Sequence, residues 1–159
     1  MRKFFLLALS HLIGLATGFA LGIYMLPVLT APPGPSRVEV ESAAATARFT
    51  GHFRRDLEGS DVLHWGEGQL FVSDRSVSLV GRVAPGPDYR LYLSPEFVET
   101  EAAFLALKDR AIQVGEVRTF ENFIVPVPVS VDVTNYSTVV IWCESFSQFI
   151  TAARYLPQN

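Results

Sequence analysis

The six residues Thr138-Val139-Val140-Ile141-Trp142-Cys143 carry almost no polar side chain between them. A run this short, rich in β-branched residues and closed by an aromatic, reads as a strand buried on both faces. Period-two geometry places Val139, Ile141 and Cys143 on one face and Val140 and Trp142 on the other. The run holds the only cysteine of the chain and one of its two tryptophans. The thiol therefore sits at the end of a core strand, where it is either sealed in or meets solvent at a rim.

The chain ahead of this run is built of short alternating segments. Ala47, Phe49, Gly51 and Phe53 alternate with Arg48, Thr50 and His52, which predicts a strand from Thr46 with His52 on its exposed face. Val62 to Val72 carries Leu63, Trp65 and Leu70 around Gly66 and Gly68, and those glycines predict a bend or bulge. The Ser73-Asp74-Arg75-Ser76 turn then predicts a hairpin from about Gln69 to Val83. Pro85-Gly86-Pro87-Asp88 is a turn with φ fixed at the prolines, and Tyr89, Leu91 and Leu93 start a further strand.

Ser94-Pro95 predicts a helix start, with acidic residues early and Lys108 and Arg110 late, as the helix dipole prefers. Ile112 to Val117 is a strand with Gly115 as a bulge. Pro126 and Pro128 make the alternating valines Val125 to Val133 an edge strand or an extended loop. Phe149 to Tyr155 alternates again. The expected fold class is all-β: an antiparallel β-sandwich or barrel with one short inserted helix, plus an N-terminal transmembrane helix.

Four divisions follow. Residues 1–3 are a cytoplasmic N-terminus, 4–29 a transmembrane anchor, 30–45 a Pro/Ala-rich linker and 46–159 an extracytoplasmic β-domain. Phe4 to Leu29 is uncharged and exceeds both the about 20 residues a spanning helix needs and the roughly 7–15 of a signal-peptide core, so it reads as an uncleaved anchor, with a long signal peptide as the competing reading. Arg2 and Lys3 on its short side put the N-terminus in the cytoplasm and the domain outside. The anchor is simple and the domain has no disulfide pair, which suggests a bacterial periplasm. Gly14, Gly18 and Gly22 recur every four residues, a spacing that lets two membrane helices pack closely and suggests a homodimer.

Charge and cysteine content exclude several classes. The formal net charge is −3, no Lys/Arg cluster is present, and nucleic acid is not an expected partner. One cysteine excludes an internal disulfide, a Cys-x-x-Cys metal site and Cys-x-x-Cys-His haem attachment. No nucleophile elbow, His-Glu-x-x-His or Walker loop occurs, which points away from an enzyme while leaving a triad assembled in space open.

An ordered set of residues carries a family resemblance. Gly51 and Phe53, His64 with Gly68, Gly86-Pro87-Asp88-Tyr89 with Leu91-Tyr92-Leu93-Ser94, Gly115, and Val140-Ile141-Trp142-Cys143 with Phe146 and Phe149 together resemble the DM-thirteen domain. The likeness runs from about Ala47 to Leu156. It implies a β-rich extracytoplasmic domain with a proposed redox or electron-transfer role centred on the cysteine, matched here by Cys143. The family's histidine ahead of a glycine resembles His64 with Gly68. The segment from Glu96 to Arg110 departs from shorter members.

Cys143, His64 and Trp142 are accordingly the cofactor-binding or redox candidates. A reactive thiol needs a lowered pKa and exposure, and the adjacent Glu144 works against the first. The aromatic neighbours fit a buried thiol or a flat apolar ligand such as haem, and histidine with a thiolate can hold haem iron or a metal ion. Asp88 and Tyr92 are candidates for a ligand rim, although an aspartate in such a turn commonly bonds its own backbone. Two functional readings lead: an anchored β-domain that binds a redox cofactor or transfers electrons, and a non-catalytic envelope interaction module with a structural cysteine; an envelope hydrolase stands behind both.

Overall fold

Eight strands form two antiparallel four-stranded sheets in the computed structural model, which describes residues 1–157. The last two residues of the expected domain 46–159 lie outside the described residues. The first sheet contains β1 (Phe49–Phe53), β2 (Gly66–Val72), β3 (Ser76–Val83) and β6 (Glu121–Pro126), in that spatial order. The second has the order β5 (Ile112–Val117), β4 (Tyr89–Ser94), β7 (Thr138–Cys143) and β8 (Gln148–Arg154). The sheets stack as a sandwich, which decides between the two expected architectures.

All six residues of β7 are buried. The strand lies between β4 and β8 and sends its two faces into different cores. Val139, Ile141 and Cys143 enter the layer between the sheets with Leu70, Leu79 and Leu91. Val140 and Trp142 enter a second cluster on the outer face, with Tyr92, Phe104 and Phe149. Helix α3 (Glu101–Leu107) supplies Phe104 to that cluster and covers the outer face.

The helix starts later than Ser94-Pro95 predicts. Ser94 ends β4, paired with Thr138, and its hydroxyl donates to the Glu96 carbonyl at 2.8 Å. Residues before proline favour extended backbone, so Ser94 continues the strand. The N-cap is Thr100, whose side chain accepts from the Ala103 amide at 3.2 Å. Likewise β2 begins at Gly66, not Val62, and β1 at Phe49.

The two open sides of the sandwich close where a glycine permits it. A Cβ on Gly51 of β1 would lie 2.7 Å from the Arg154 carbonyl of β8, and one on Gly115 of β5 would lie 2.7 Å from Val125 of β6. At both places the edge strand of one sheet tucks against the edge strand of the other. Gly68, at φ 124°, faces Gly81 across the β2–β3 pair, and a Cβ there would stand 2.5 Å from the Gly81 Cα. β3 shifts register against β6 between Leu79 and Arg82, next to this pair.

Helix α1 (Arg2–Thr30) is long and apolar enough to cross a membrane, and none of its residues is buried. Nothing lies within 4 Å of where a Cβ would stand on Gly14, Gly18 or Gly22.

The stretch expected as a linker holds a second helix, α2 (Arg37–Ala44). It opens on a capping box. The Ser36 amide donates to the Glu39 carboxylate at 2.8 Å, and the Glu39 amide donates to the Ser36 hydroxyl at 3.3 Å. Its Val40 is 0% exposed and the helix packs on β3 and β6. Asn122 ties the approach to this helix down by donating to the Pro35 carbonyl at 3.3 Å. We expect Val40→Ala to destabilise the folded chain by about 1–3 kcal/mol in chemical denaturation, the loss for a buried valine side chain. A change below about 0.5 kcal/mol, as at an ordinary surface site, would restore the linker description.

Candidate functional site

Cys143 ends β7 beneath the loop that carries the chain from β3 in one sheet to β4 in the other. Its thiol donates to the Pro87 carbonyl at 3.1 Å. That loop is strapped to the residues after β7 at several points. Asp88, in a left-handed conformation with φ 52°, accepts from the Glu144 amide through its carbonyl at 3.1 Å. Its carboxylate accepts from the Ser145 hydroxyl at 2.9 Å and pairs with Arg90 at 2.7 Å. Gly86 is required beside it, because a side chain there would run into the Tyr89 ring.

His64 reaches the same place from a separate loop. One carboxylate oxygen of Asp61 accepts from the Leu63 and His64 amides at 2.7 and 2.8 Å, and the other meets His64 Nδ1 at 2.9 Å. These bonds hold the Asp61 carboxyl below its ordinary value, the His64 ring contributing most. Arg55 stacks 3.4 Å over the Trp65 ring and fixes the end of the loop. His64 Nε2 is left without a hydrogen-bond partner among the described residues.

Together these loops enclose a mostly apolar cleft of about 380 Å³. Cys143 and Ile150 lie at its floor, with Leu63, His64, Pro87 and Phe146 around it. A further wall is not part of the β-domain: Ala20, Ile23 and Tyr24 of α1 face the same space.

Cys143 is 2% exposed. Burial pushes its pKa up, the backbone bond from Phe146 pulls it down by less, and the Asp88 carboxylate pushes it up further. Cys143 is therefore held as the neutral thiol at physiological pH, a poor nucleophile. We expect iodoacetamide at pH 7.5 to leave Cys143 of the folded chain unmodified over a time that fully alkylates the same chain in denaturant. Equal rates in the two states would contradict the geometry.

Trp142 and Tyr92 do not share this cleft. They lie on the opposite face of the second sheet, in the cluster beneath α3. There the Tyr92 hydroxyl donates to the Glu144 carboxylate, which pairs with Lys108 at 2.7 Å. The Lys108 ammonium stands 5.2 Å over the Trp142 ring and 5.6 Å over Tyr92. Tyr92 is thus a buried anchor and not a rim residue. Asp88 lines a neighbouring cleft with Arg90, Glu116 and Arg118. His52 is exposed on β1, as its alternation predicts.

Glu144 joins the two regions, its amide in the strap over Cys143 and its carboxylate in the outer cluster. Partial burial alone would raise its carboxyl, but Lys108 and the Tyr92 hydroxyl outweigh burial and lower it. A lowered acid contributes stability above its unfolded pKa and loses it as pH falls through the folded value. We expect the native chain to exceed Glu144→Gln in stability above about pH 4.3, with the difference vanishing in acid. A difference that persists unchanged into acid would mean that the charge is not its source.

The donor set limits what the cleft can hold. Among the described residues, no three of His, Cys, Asp and Glu gather as a metal site. Cys143 and His64 are two donors where a structural zinc takes four. An apolar cleft with one free imidazole nitrogen suits a group held mainly by its faces, with one or two protein donors. Phe146 is legible as an aromatic neighbour of the thiol, whereas Leu63 is not legible as a lining residue; its one signal is the Val62-Leu63 pair standing in a loop that the chain leaves exposed.

A family model described as "Electron transfer DM13" matches residues 38–155. No curated protein and no solved structure matches the chain. The matched span begins inside α2 and runs through β8, so it takes in both sheets and α3 and leaves α1 outside.

Proposed function

Because the chain belongs to the electron transfer DM13 family, we propose that it is a membrane-anchored electron-transfer domain whose cleft over Cys143 binds a small redox group. In this reading α1 is the anchor, residues 1–3 are cytoplasmic, and the β-domain stands in the bacterial periplasm, as Arg2 and Lys3 before the span favour. The face carrying Gly14, Gly18 and Gly22 is open for pairing with a second copy.

The observation that carries the reading is the convergence of Cys143 and His64, distant in sequence, on one apolar cleft. The neutral, buried thiol argues that electrons pass through a bound group and not through a thiolate–disulfide cycle. Asp61 orients the imidazole as a partner carboxylate orients a ligating histidine. The bond from Cys143 Sγ to Pro87 favours a second reading, an interaction module in which the thiol only packs.

The two separate by native mass spectrometry of the full chain, extracted unreduced from its membrane, with an optical spectrum on the same sample. Under the first reading the chain carries extra mass and an absorbance that responds to reductant. Cys143→Ser or His64→Ala removes both without unfolding the domain, and Asp61→Ala weakens retention by roughly 10-fold or more. A bare chain mass, with Cys143→Ser changing stability alone, would establish the packed thiol.

A further inference from the structure

The helix wall of the cleft raises a question of height. Rising about 1.5 Å per residue, the apolar run Phe4–Leu29 is longer than the about 30 Å hydrocarbon core of a bilayer. A span that starts at Phe4 leaves the hydrocarbon near Ile23 and Tyr24, and tyrosine is enriched at that boundary. Yet the β-domain reaches along α1 as far as Ala20. Its cleft end therefore stands at the level of the lipid.

The side chains at this end are mainly of the kind that level requires; the exception, Asp61, has its carboxylate bonded by the Leu63 and His64 amides and the His64 ring. Val62 is 89% exposed, Leu63 50% and Phe146 54%. They come from two loops separated by most of the domain, and the cleft brings Leu63 and Phe146 to one mouth. One to two helical turns further along α1, residues Leu26 to Pro32 face the neighbouring cleft instead, which is lined by Asp88, Arg90, Glu116 and Arg118. These four are joined by ion pairs. Moving outward along the anchor, the domain thus presents first a mostly apolar patch and then a charged cluster. A bilayer presents hydrocarbon and then headgroups in the same order over a similar distance.

Resting on the anchored reading, we propose that the cleft end of the β-domain seats in the leaflet from which α1 emerges, with Val62, Leu63 and Phe146 in lipid. The cleft over Cys143 then opens sideways into the bilayer, and the molecules with access to it are apolar ones dissolved in the membrane. The partner of this surface is the lipid itself. Exposed apolar side chains on adjoining loops, continuous with a spanning helix, bind an interface through their buried area.

The test uses the full chain in lipid nanodiscs with tryptophan placed by Leu63→Trp or Phe146→Trp, and by Val129→Trp as a comparison. Val129 is fully exposed in the connection after β6, on the far side of that strand from the cleft end. The emission of the native chain is subtracted from each. Lipids brominated in their acyl chains should remove roughly half or more of the emission added at positions 63 and 146, and aqueous acrylamide should reach it poorly. The emission added at position 129 should show the reverse. Quenching at 63 and 146 that matches position 129 would overturn the proposal, whether water or a second copy of the chain covers the surface. The measurement involves neither Cys143 nor a bound group, so its failure leaves the redox reading standing, and an empty cleft leaves the membrane seating standing.

Discussion

A strand with no exposed side chain must be covered twice, and the arrangement of this domain follows from that requirement on β7. One cover is the opposite sheet, reached because the chain crosses between sheets after β3, β5 and β6. The other is α3 with its Phe104, which closes over Val140 and Trp142. Neither cover suffices alone. Without α3 the indole of Trp142 would face water, and without the first sheet the Val139, Ile141 and Cys143 face would have no partner. Burial of such side chains is the main favourable contribution to folding.

The placement of the thiol is a consequence of the same geometry. Cys143 shares a face with Val139 and Ile141, so it points toward the space between the sheets, at the end where the β3–β4 crossing closes over it. Its neighbour Trp142 points away by the same alternation. The strap through Asp88, Glu144 and Ser145 joins this end to the outer cluster, where Lys108 and Tyr92 hold the Glu144 side chain. Loops gathered at the end of a sandwich are where such a scaffold carries a site.

Much of this was legible in the sequence, for identifiable reasons. The two buried faces of β7 follow from six consecutive apolar or β-branched residues, and the β2–β3 hairpin from the Ser73–Ser76 turn and the alternation that follows it. Local signals of this kind are strong because they repeat over several residues. The helix start is ambiguous in the sequence because Ser94-Pro95 satisfies the rules for a cap and also those for a strand end, and pairing with Thr138 decides for the strand. The composition of α2 resembles that of a linker, although Ser36 and Glu39 spell the capping box that starts it. For the site, alternation separates Cys143 from Trp142, but nothing local joins Cys143 to His64 or to Tyr24. The Asp61 bonds shape the His64 loop locally, but what brings that loop over Cys143 is packing between segments distant in sequence, as in the contacts of Cys143 with Pro87 and Ser145 with Asp88.

The tucked sides of the sandwich bear on life at a crowded surface. Under the anchored reading proposed above, the domain meets its neighbours at a high effective concentration, as any linked module does. A bare strand edge would then be a standing template for strand addition between copies. Here Gly51 and Gly115 let the edge strands of the two sheets fold in on one another, and the prolines at 126 and 128 deny donors to any newcomer beside β6. Two residues without side chains thus protect the protein from its own kind.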